Sequence, residues 1–395
     1  MSYVSCRTGD KEMTLANEEL LTIYRHLHQF PELGLEEFKT HDYLLTIIQQ
    51  LPQDYLQIKE VDALPTALLV KVSGKSHKRL IGYRTDIDAL PVKEKTGLPF
   101  SSKIDGKMHA CGHDIHMTVA LGILSYFASN QPDTDLVFIF QPSEENHSGG
   151  MLLYQSGALD EWMPDEIYAL HDNPQLPAGA IGCLNGTLFA GTCEIHADFN
   201  GKSGHAAYPH NANDMVVAAS AFVMQTQTVV SRNVDPIEGG VVTLGHLNAG
   251  DTGNVIAGHA HIDGTIRSLT QKNNWHMQQR VRAIAQGVAL TYGCEVALEL
   301  HQGGYLPVEN DPDITADFIS YMESQVDVNF IETKPAMTGE DFGYLISKIP
   351  GTMFWLGVDS PYSLHSEKMA PNTDAIVAGV SAITGYLKHR SAQQS

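Results

Sequence analysis

DLVFIFQPSEENHSGG, residues 135–150, decides how this chain is read. It opens on an apolar run that suits a strand covered on both faces. The run ends on two adjacent carboxylates, Glu144 and Glu145, and a helix fits from about 149 to 158. Similar apolar runs stand on either side: ALLVKV at 67–72, RLIGYRTDIDAL at 79–90 and a short one near 167–170. Helical patterns lie between them, at 114–129 and as two helices over 17–50 around a PELG turn. Buried strands alternating with helices predict an α/β layered domain with a largely parallel sheet.

From about Cys193 the texture changes. CEIHADFNGK alternates, an apolar helix covers 213–231, and GVVTLGHLNAG and HAHIDGTIRSL read as strands. A helix over 270–292 and a strand in CEVALELHQGG complete a strand-helix-strand-strand-helix-strand order, the signature of a small α+β insert. After about residue 308 the α/β texture resumes, with MFWLG at 353–357 as a buried strand. The expected organisation is a catalytic domain in two segments, 1–192 and 308–395, interrupted by an insert at 193–307.

Bulk properties agree with this division. A chain of 395 residues is long for a single core. Lys+Arg 25 against Asp+Glu 46 gives a net charge of −21 with no basic block, which argues against nucleic-acid or anionic-membrane surfaces. No apolar run approaches the roughly 20 residues that span a bilayer. The N-terminal MSYVSCRTGDKEMTLANEEL carries charges where an export signal needs its apolar stretch. Its first dozen residues read as a loose extension, with Met13 an alternative start. The five cysteines (Cys6, Cys111, Cys183, Cys193, Cys294) are odd in number and widely spaced, which predicts reduced thiols and a cytoplasmic protein.

Five stretches carry candidate chemistry. In MHACGHDIHMTVALG, residues 108–122, Cys111 and His113 flank one glycine where a loop opens a helix. A thiolate and an imidazole so close can begin a transition-metal site, although a buried structural pair is the more ordinary outcome. Glu144 and Glu145 at the end of an apolar strand suit a cation: one carboxylate ligates and the other takes a proton from the attacking water. Two acidic residues opening a helix are the competing reading. His171 in YALHDNP follows a short apolar run and His365 in SLHSEKMAPN lies near the C-terminus, and a lone histidine is more often a surface or packed residue than a ligand. Asp86 in GYRTDIDALP could orient a ligand histidine, with Asp88 as its alternative. These loops follow strands of one sheet, where sites of open α/β folds gather.

From about residue 18 the chain resembles the aminoacylase/carboxypeptidase-type metallopeptidases, in the amidohydrolase branch that holds hippurate and auxin-conjugate hydrolases. The resemblance rests on HLHQFPELGLEEF, YRTDIDALPVKEKTGLPF, MHACGHDIHMTVALG, QPSEE, GKSGHAAYPH, TGEDFG and the LH pairs at 170–171 and 364–365. It implies an exopeptidase-like α/β catalytic domain with an inserted ferredoxin-like lid and dimerisation domain. It also implies Cys111, His113, Glu145, His171 and His365 as ligands of one or two divalent metal ions, Glu144 as general base and acid, and Asp86 in support. The mixed donor set suits zinc best, with cobalt or manganese able to substitute.

The implied substrate is a small N-acyl amino acid. Its carboxylate is expected on Arg267, with Asn254 nearby and Gly339 of TGEDFG in the same site; a surface arginine paired to Asp263 is the competing reading. His205, in GKSGHAAYPH, is expected as an oxyanion donor from the neighbouring subunit of a homodimer, against a plain helix-start role beside Pro209. EENHSGG stands where relatives carry a glycine-rich run, so Asn146 and His147 are expected at the pocket rim. The implied reaction removes an acyl group from an amino-acid nitrogen. A general aminoacylase or hippurate-type hydrolase would share the site with another pocket, and a dipeptidase is the more distant variant. A metal-binding scaffold would have no use for Glu144, and the chain has no G-x-S-x-G elbow for a serine hydrolase.

Overall fold

Every residue of the strand Thr134–Gln141 is buried, as its unbroken apolar run requires. It belongs to the main sheet of the computed structural model, which describes residues 15–393. Cys6 and Met13 lie outside the described residues. The chain begins with α1 (Asn17–Gln29), α2 (Phe38–Gln50), β1 (Leu56–Glu60), β2 (Leu68–Val72) and β3 (Ser76–Asp86). Next come α3 (His113–Ser129), β4 (Thr134–Gln141), α4 (Gly149–Gln155), β5 (Glu166–Asn173), β6 (Ile181–Cys183) and β7 (Thr187–Phe189). The middle of the chain forms β8 (Gly191–Asn200), β9 (Gly204–His205), α5 (Met215–Asn233), β10 (Val241–Ala249) and β11 (Val255–Ile256). It continues through β12 (His259–Ser268), α6 (Gln271–Tyr292), β13 (Glu295–His301) and β14 (Val308–Glu309). The last part gives α7 (Pro312–Ser324), β15 (Phe330–Glu332), α8 (Phe342–Ile346), β16 (Gly351–Gly357) and α9 (Asp374–Ala392).

The chain divides into two compact units. The first, residues up to 188, 310–334 and from 344 onward, holds the eight-stranded sheet β1-β2-β4-β3-β5-β16-β6-β15. Its middle strands are parallel, β3 to both β4 and β5, and β16 to β5. The flanking pairs β1/β2, β2/β4 and β16/β6 are antiparallel. Helix α3 is buried over almost its whole length, which explains a composition apolar on every side rather than on one stripe.

The second unit, residues 189–309 and 335–343, holds the antiparallel sheet β10-β12-β8-β13. This is the ferredoxin-like order for strands met in the sequence β8, β10, β12, β13. One face of β8 (Cys193, Ile195, Ala197, Phe199) packs with Met215 and Phe222 of α5 and with Met277 and Val281 of α6. The helices start where their caps are: Asp214 accepts from the amides of Val216 and Val217, and Thr270 from that of Asn273. The unit differs from the expected 193–307 by taking back residues 335–343, read from sequence as part of the returning catalytic segment. Non-local bonds hold that excursion: the Ala190 amide donates to Ala336 O (3.0 Å), and Arg267 Nη1 donates to Met337 O (3.0 Å). Among the described residues no helix is long and apolar enough to cross a membrane.

Candidate metal centre

The candidate site lies at the C-terminal ends of β4, β3, β5 and β16, four strands adjacent in the sheet. The loop into α3 supplies Cys111 and His113 on either side of Gly112. Gly112 has φ +88°, and a Cβ there would stand 2.2 Å from Asp172 Oδ2, so only glycine fits. The β4 loop supplies Glu144 and Glu145. It is wound tightly, with Ser143 at φ +58° and the Ser143 amide donating to Glu37 Oε1 (2.8 Å). The PELG turn leans on this loop: a Cβ on Gly34 would meet Ser143 Oγ at 2.4 Å and Asn146 Oδ1 at 2.5 Å. β5 carries His171. His365 follows β16 at φ +63°, with its amide donating to Ala110 O (2.8 Å). Left-handed backbone at non-glycine residues is strained, and such strain collects at functional sites.

These five candidate ligands come together. His365 Nε2 lies 3.3 Å from Cys111 Sγ and 3.5 Å from Glu145 Oε1. His171 Nε2 lies 3.5 Å from Cys111 Sγ, and His113 Nε2 lies 3.8 Å from Glu145 Oε1. Cys111, His113 and His171 form one set whose donor atoms all lie within 4.8 Å of one another, and Cys111, Glu145 and His365 form another. Cys111 is common to both. Glu144, buried, joins His113 and Glu145 in a third set.

The residues fit a divalent cation. His113 Nε2 and Glu145 Oε1 are buried without a hydrogen-bond partner, which is costly unless something else satisfies them. Burial pushes the Cys111 thiol well up, and the carboxylates of Glu145 and Glu144 push it further. A cation among these groups reverses that trend and favours the thiolate. Burial, reinforced by His116, holds His171 well below the ordinary imidazole range, in the neutral form that ligates.

Two aspartates set the histidines. His113 Nδ1 donates to Asp88 O (2.9 Å) and meets Asp88 Oδ1 (3.2 Å), while Asp88 Oδ2 accepts the Glu145 amide (3.0 Å). Asp86 instead accepts from His116 Nδ1 (2.6 Å) and Arg84 Nη1 (2.7 Å), and stands 3.8 Å from His113 Nε2. The carboxylate in contact with His113 Nδ1 is therefore that of Asp88, the alternative to Asp86. Residues two apart on the strand side and three apart on the helix have similar spacings, so each aspartate meets the histidine in line with it. His116 Nε2 in turn accepts the Asp172 amide (2.9 Å), and His171 Nδ1 donates to Asp172 O (3.0 Å). Sequence reading passed over His116 and Asp172. The signal was there: His116 is one turn along from His113, and Asp172 adjoins His171. Asn146 and His147 are both exposed, with Asn146 Oδ1 accepting from Ser143 Oγ (2.8 Å).

The remaining candidates lie in the second unit and fall into two pairs. Asn254 and His205 are exposed neighbours: the Ala206 amide donates to Asn254 O (3.1 Å), and Val255 pairs with His205. His205 Nδ1 accepts the Ala207 amide (3.0 Å), which leaves Nε2 as the protonated nitrogen. Arg267 and Gly339 lie together beside Thr192, whose Oγ1 accepts from Arg267 Nη1 (3.3 Å) and would stand 2.6 Å from a Cβ on Gly339. Arg267 has no carboxylate partner among the described residues. Asp263, the partner considered from sequence, is taken by His196, His246 and His261. Asn254 is not near Arg267. It belongs to the loop before His259, which pairs with Asn200, whereas Arg267 pairs with Thr192 at the other end of β12. Eight residues of strand separate those ends, about 26 Å.

The model of the peptidase family M20/M25/M40 matches residues 82–389. An N-acetyldiaminopimelate deacetylase of Ligilactobacillus salivarius is 70% identical over 378 residues, covering 96% of this chain and 98% of that protein. One of Lactiplantibacillus plantarum is 69% identical over 381 residues, covering 96% and 99%. Among solved structures, a dinuclear metal binding peptidase of the M20 family from Bacillus subtilis superposes with a TM-score of 0.82 at 26% identity, over 95% of this chain and 98% of that one. With the matching model spanning more than half of its length, this chain belongs to the peptidase family M20/M25/M40.

Proposed function

We propose that this chain hydrolyses N-acetyl-LL-2,6-diaminopimelate to LL-diaminopimelate and acetate, a deacetylation step of lysine biosynthesis, in the cytoplasm. The observation that carries the reading is the convergence of Cys111, His113, Glu145, His171 and His365 beside a buried Glu144. The names of relatives at 69% and 70% identity supply the substrate.

Those five residues would hold one or two divalent ions, zinc by donor type. When bound, such an ion would supply Lewis acidity, lowering the pKa of water from about 15.7 towards roughly 7 and polarising the acetyl carbonyl. Glu144 takes the proton of the attacking water and returns it to the leaving nitrogen. Asp88 fixes His113 in the tautomer that presents Nε2 to the site, and the Asp172 carbonyl does the same for His171. Arg267, held by neutral oxygens alone, keeps guanidinium donors for the substrate carboxylate, with Gly339 beside it.

His205 Nε2 donates to the acetyl oxygen as negative charge develops there. His205 and Asn254 sit at the other end of β12 from Arg267, which supports their acting from a second copy of the chain. A homodimer through the second unit has a surface to use. β10 is an edge strand, and neither it nor α5 between residues 215 and 231 contains an acidic or basic residue other than histidine. Val216, Val217, Met224 and Leu247 are exposed on these elements.

The test is a panel of N-acetyl amino acids, including N-acetyl-LL-diaminopimelate and hippurate, compared by kcat/KM before and after chelation. The diaminopimelate derivative is expected to lead by at least tenfold, with activity lost on chelation and restored by zinc. Equal rates across the panel would replace this reading with a general aminoacylase.

A further inference from the structure

The sheet of the second unit has a core face and an outer face, and the outer face is populated by imidazoles and carboxylates. His196 of β8 stands directly opposite Asp263 of β12 and Asp198 opposite His261, with Glu194 and His259 further along the same face. Asp263 is the hub. Its Oδ1 lies 2.8 Å from His196 Nδ1 and 2.9 Å from His261 Nε2, and its Oδ2 lies 2.9 Å from His246 Nδ1. His246 reaches this face only because of a β-bulge. β10 pairs Leu244 with Gly264 but His246 with Asp263, so Gly245 is an extra residue in the ladder. Without it the alternation would turn His246 towards the core.

We propose that this face is a second divalent-metal site, independent of the Cys111 centre, with His246, His261 and Asp263 as ligands and His196 as a fourth. The donor atoms of His246, His261 and Asp263 lie within 4.8 Å of one another. Donors about 2.0–2.2 Å from one ion in tetrahedral array sit roughly 3.4 Å apart, a spacing close to that already held by these atoms. The backbone that carries them is three hydrogen-bonded strands, which holds the positions rigid. Imidazole with one carboxylate selects zinc, nickel or copper(II) rather than magnesium or calcium. The site is open to incoming ions, with His246 57% and His196 44% exposed. Its surroundings favour cations: Asp198 binds His259 and His261, Glu194 faces His196, and the chain carries a net charge of −21.

Metal stoichiometry and cobalt spectroscopy test this together. Full-length wild type is compared with H246Q/H261Q by dialysis against micromolar zinc and elemental analysis. Titration with cobalt(II) then separates the sites, since only the Cys111 centre has a sulfur ligand and hence thiolate-to-cobalt charge transfer. Wild type is expected to bind one more equivalent than the double variant, with the charge-transfer band unchanged between them. H246Q alone, which leaves His261 in place, should weaken that equivalent about tenfold or more, which keeps the test decisive if the double variant folds poorly. Equal stoichiometry and affinity in wild type and variants would overturn the proposal, as would loss of the charge-transfer band in H246Q.

Discussion

Gly112 is where the local backbone and the metal centre depend on the same atom, and Gly112→Ala measures that dependence. Two separate costs arise. At φ +88° an alanine adopts left-handed backbone, worth about 1 kcal/mol. Its Cβ would also lie 2.2 Å from Asp172 Oδ2, 2.7 Å from Cγ and 3.1 Å from Cβ, so more than the tip of that side chain must move. Asp172 is fully buried and its amide is bonded to His116, so the clash resembles core overpacking, about 1–3 kcal/mol. The sum is about 2–4 kcal/mol. Gly106 is the internal control: it has φ +77° and nothing within 4 Å of its would-be Cβ, so Gly106→Ala should lose only about 1 kcal/mol. Urea unfolding of the metal-free proteins reads the difference. Zinc affinity should fall about 10–100-fold in Gly112→Ala, because Cys111 and His113 flank the displaced residue, and stay unchanged in Gly106→Ala. Equal destabilisation of the two variants would refute the clash argument.

Glu144→Gln should abolish turnover while zinc content stays at the wild-type level, whereas Glu145→Gln should lose zinc; equal metal loss in both would overturn the division of roles. Arg267→Ala should raise KM strongly for acetylated amino acids and hardly affect a neutral amide, and equal effects would mark it as structural. Mixing inactive His205→Ala with inactive Glu144→Gln should restore part of the activity once subunits exchange; confirmed exchange with no recovery would confine His205 to its own chain. Glu166 is buried against Arg390 and Arg79, and those two hydrogen-bonded cations hold its carboxyl below the ordinary range despite the opposing effect of burial. Its stabilising contribution is therefore fully present above about pH 4.5 and lost as pH falls through the depressed value. Denaturation midpoints between pH 3 and 6 should fall less steeply in Glu166→Gln, and parallel curves would show that Glu166 does not titrate differently on folding.

Much of the centre was legible because its signals are local. An apolar run followed by Glu144-Glu145, and a cysteine and a histidine around one glycine, need only near neighbours to stand out. The outer-face histidines were equally visible in CEIHADFNGK and HAHIDGTIRS, where alternation puts His196, His259, His261 and Asp263 on one side of their strands. They attracted no functional reading because a solvated face is the common outcome of such a pattern.

By itself the sequence determined the α/β class, the strand-helix-strand-strand-helix-strand order of the insert and the residue types able to bind metal, since periodicity reports burial and burial follows from the element. Which side chains meet was decided only by tertiary structure. Asp88 rather than Asp86 reaches His113 Nδ1 because of how α3 lies along the loop after β3. Residues 335–343 join the second unit through bonds to Ala190 and Arg267, more than 60 positions away in the chain. Asn254 lies in the loop ahead of β12 and Arg267 near the far end of that strand, although only 13 positions separate them in sequence. His246 faces Asp263 through one bulged glycine. In each case the outcome depends on how elements pair and in what register, and no local pattern of hydrophobicity or charge encodes either.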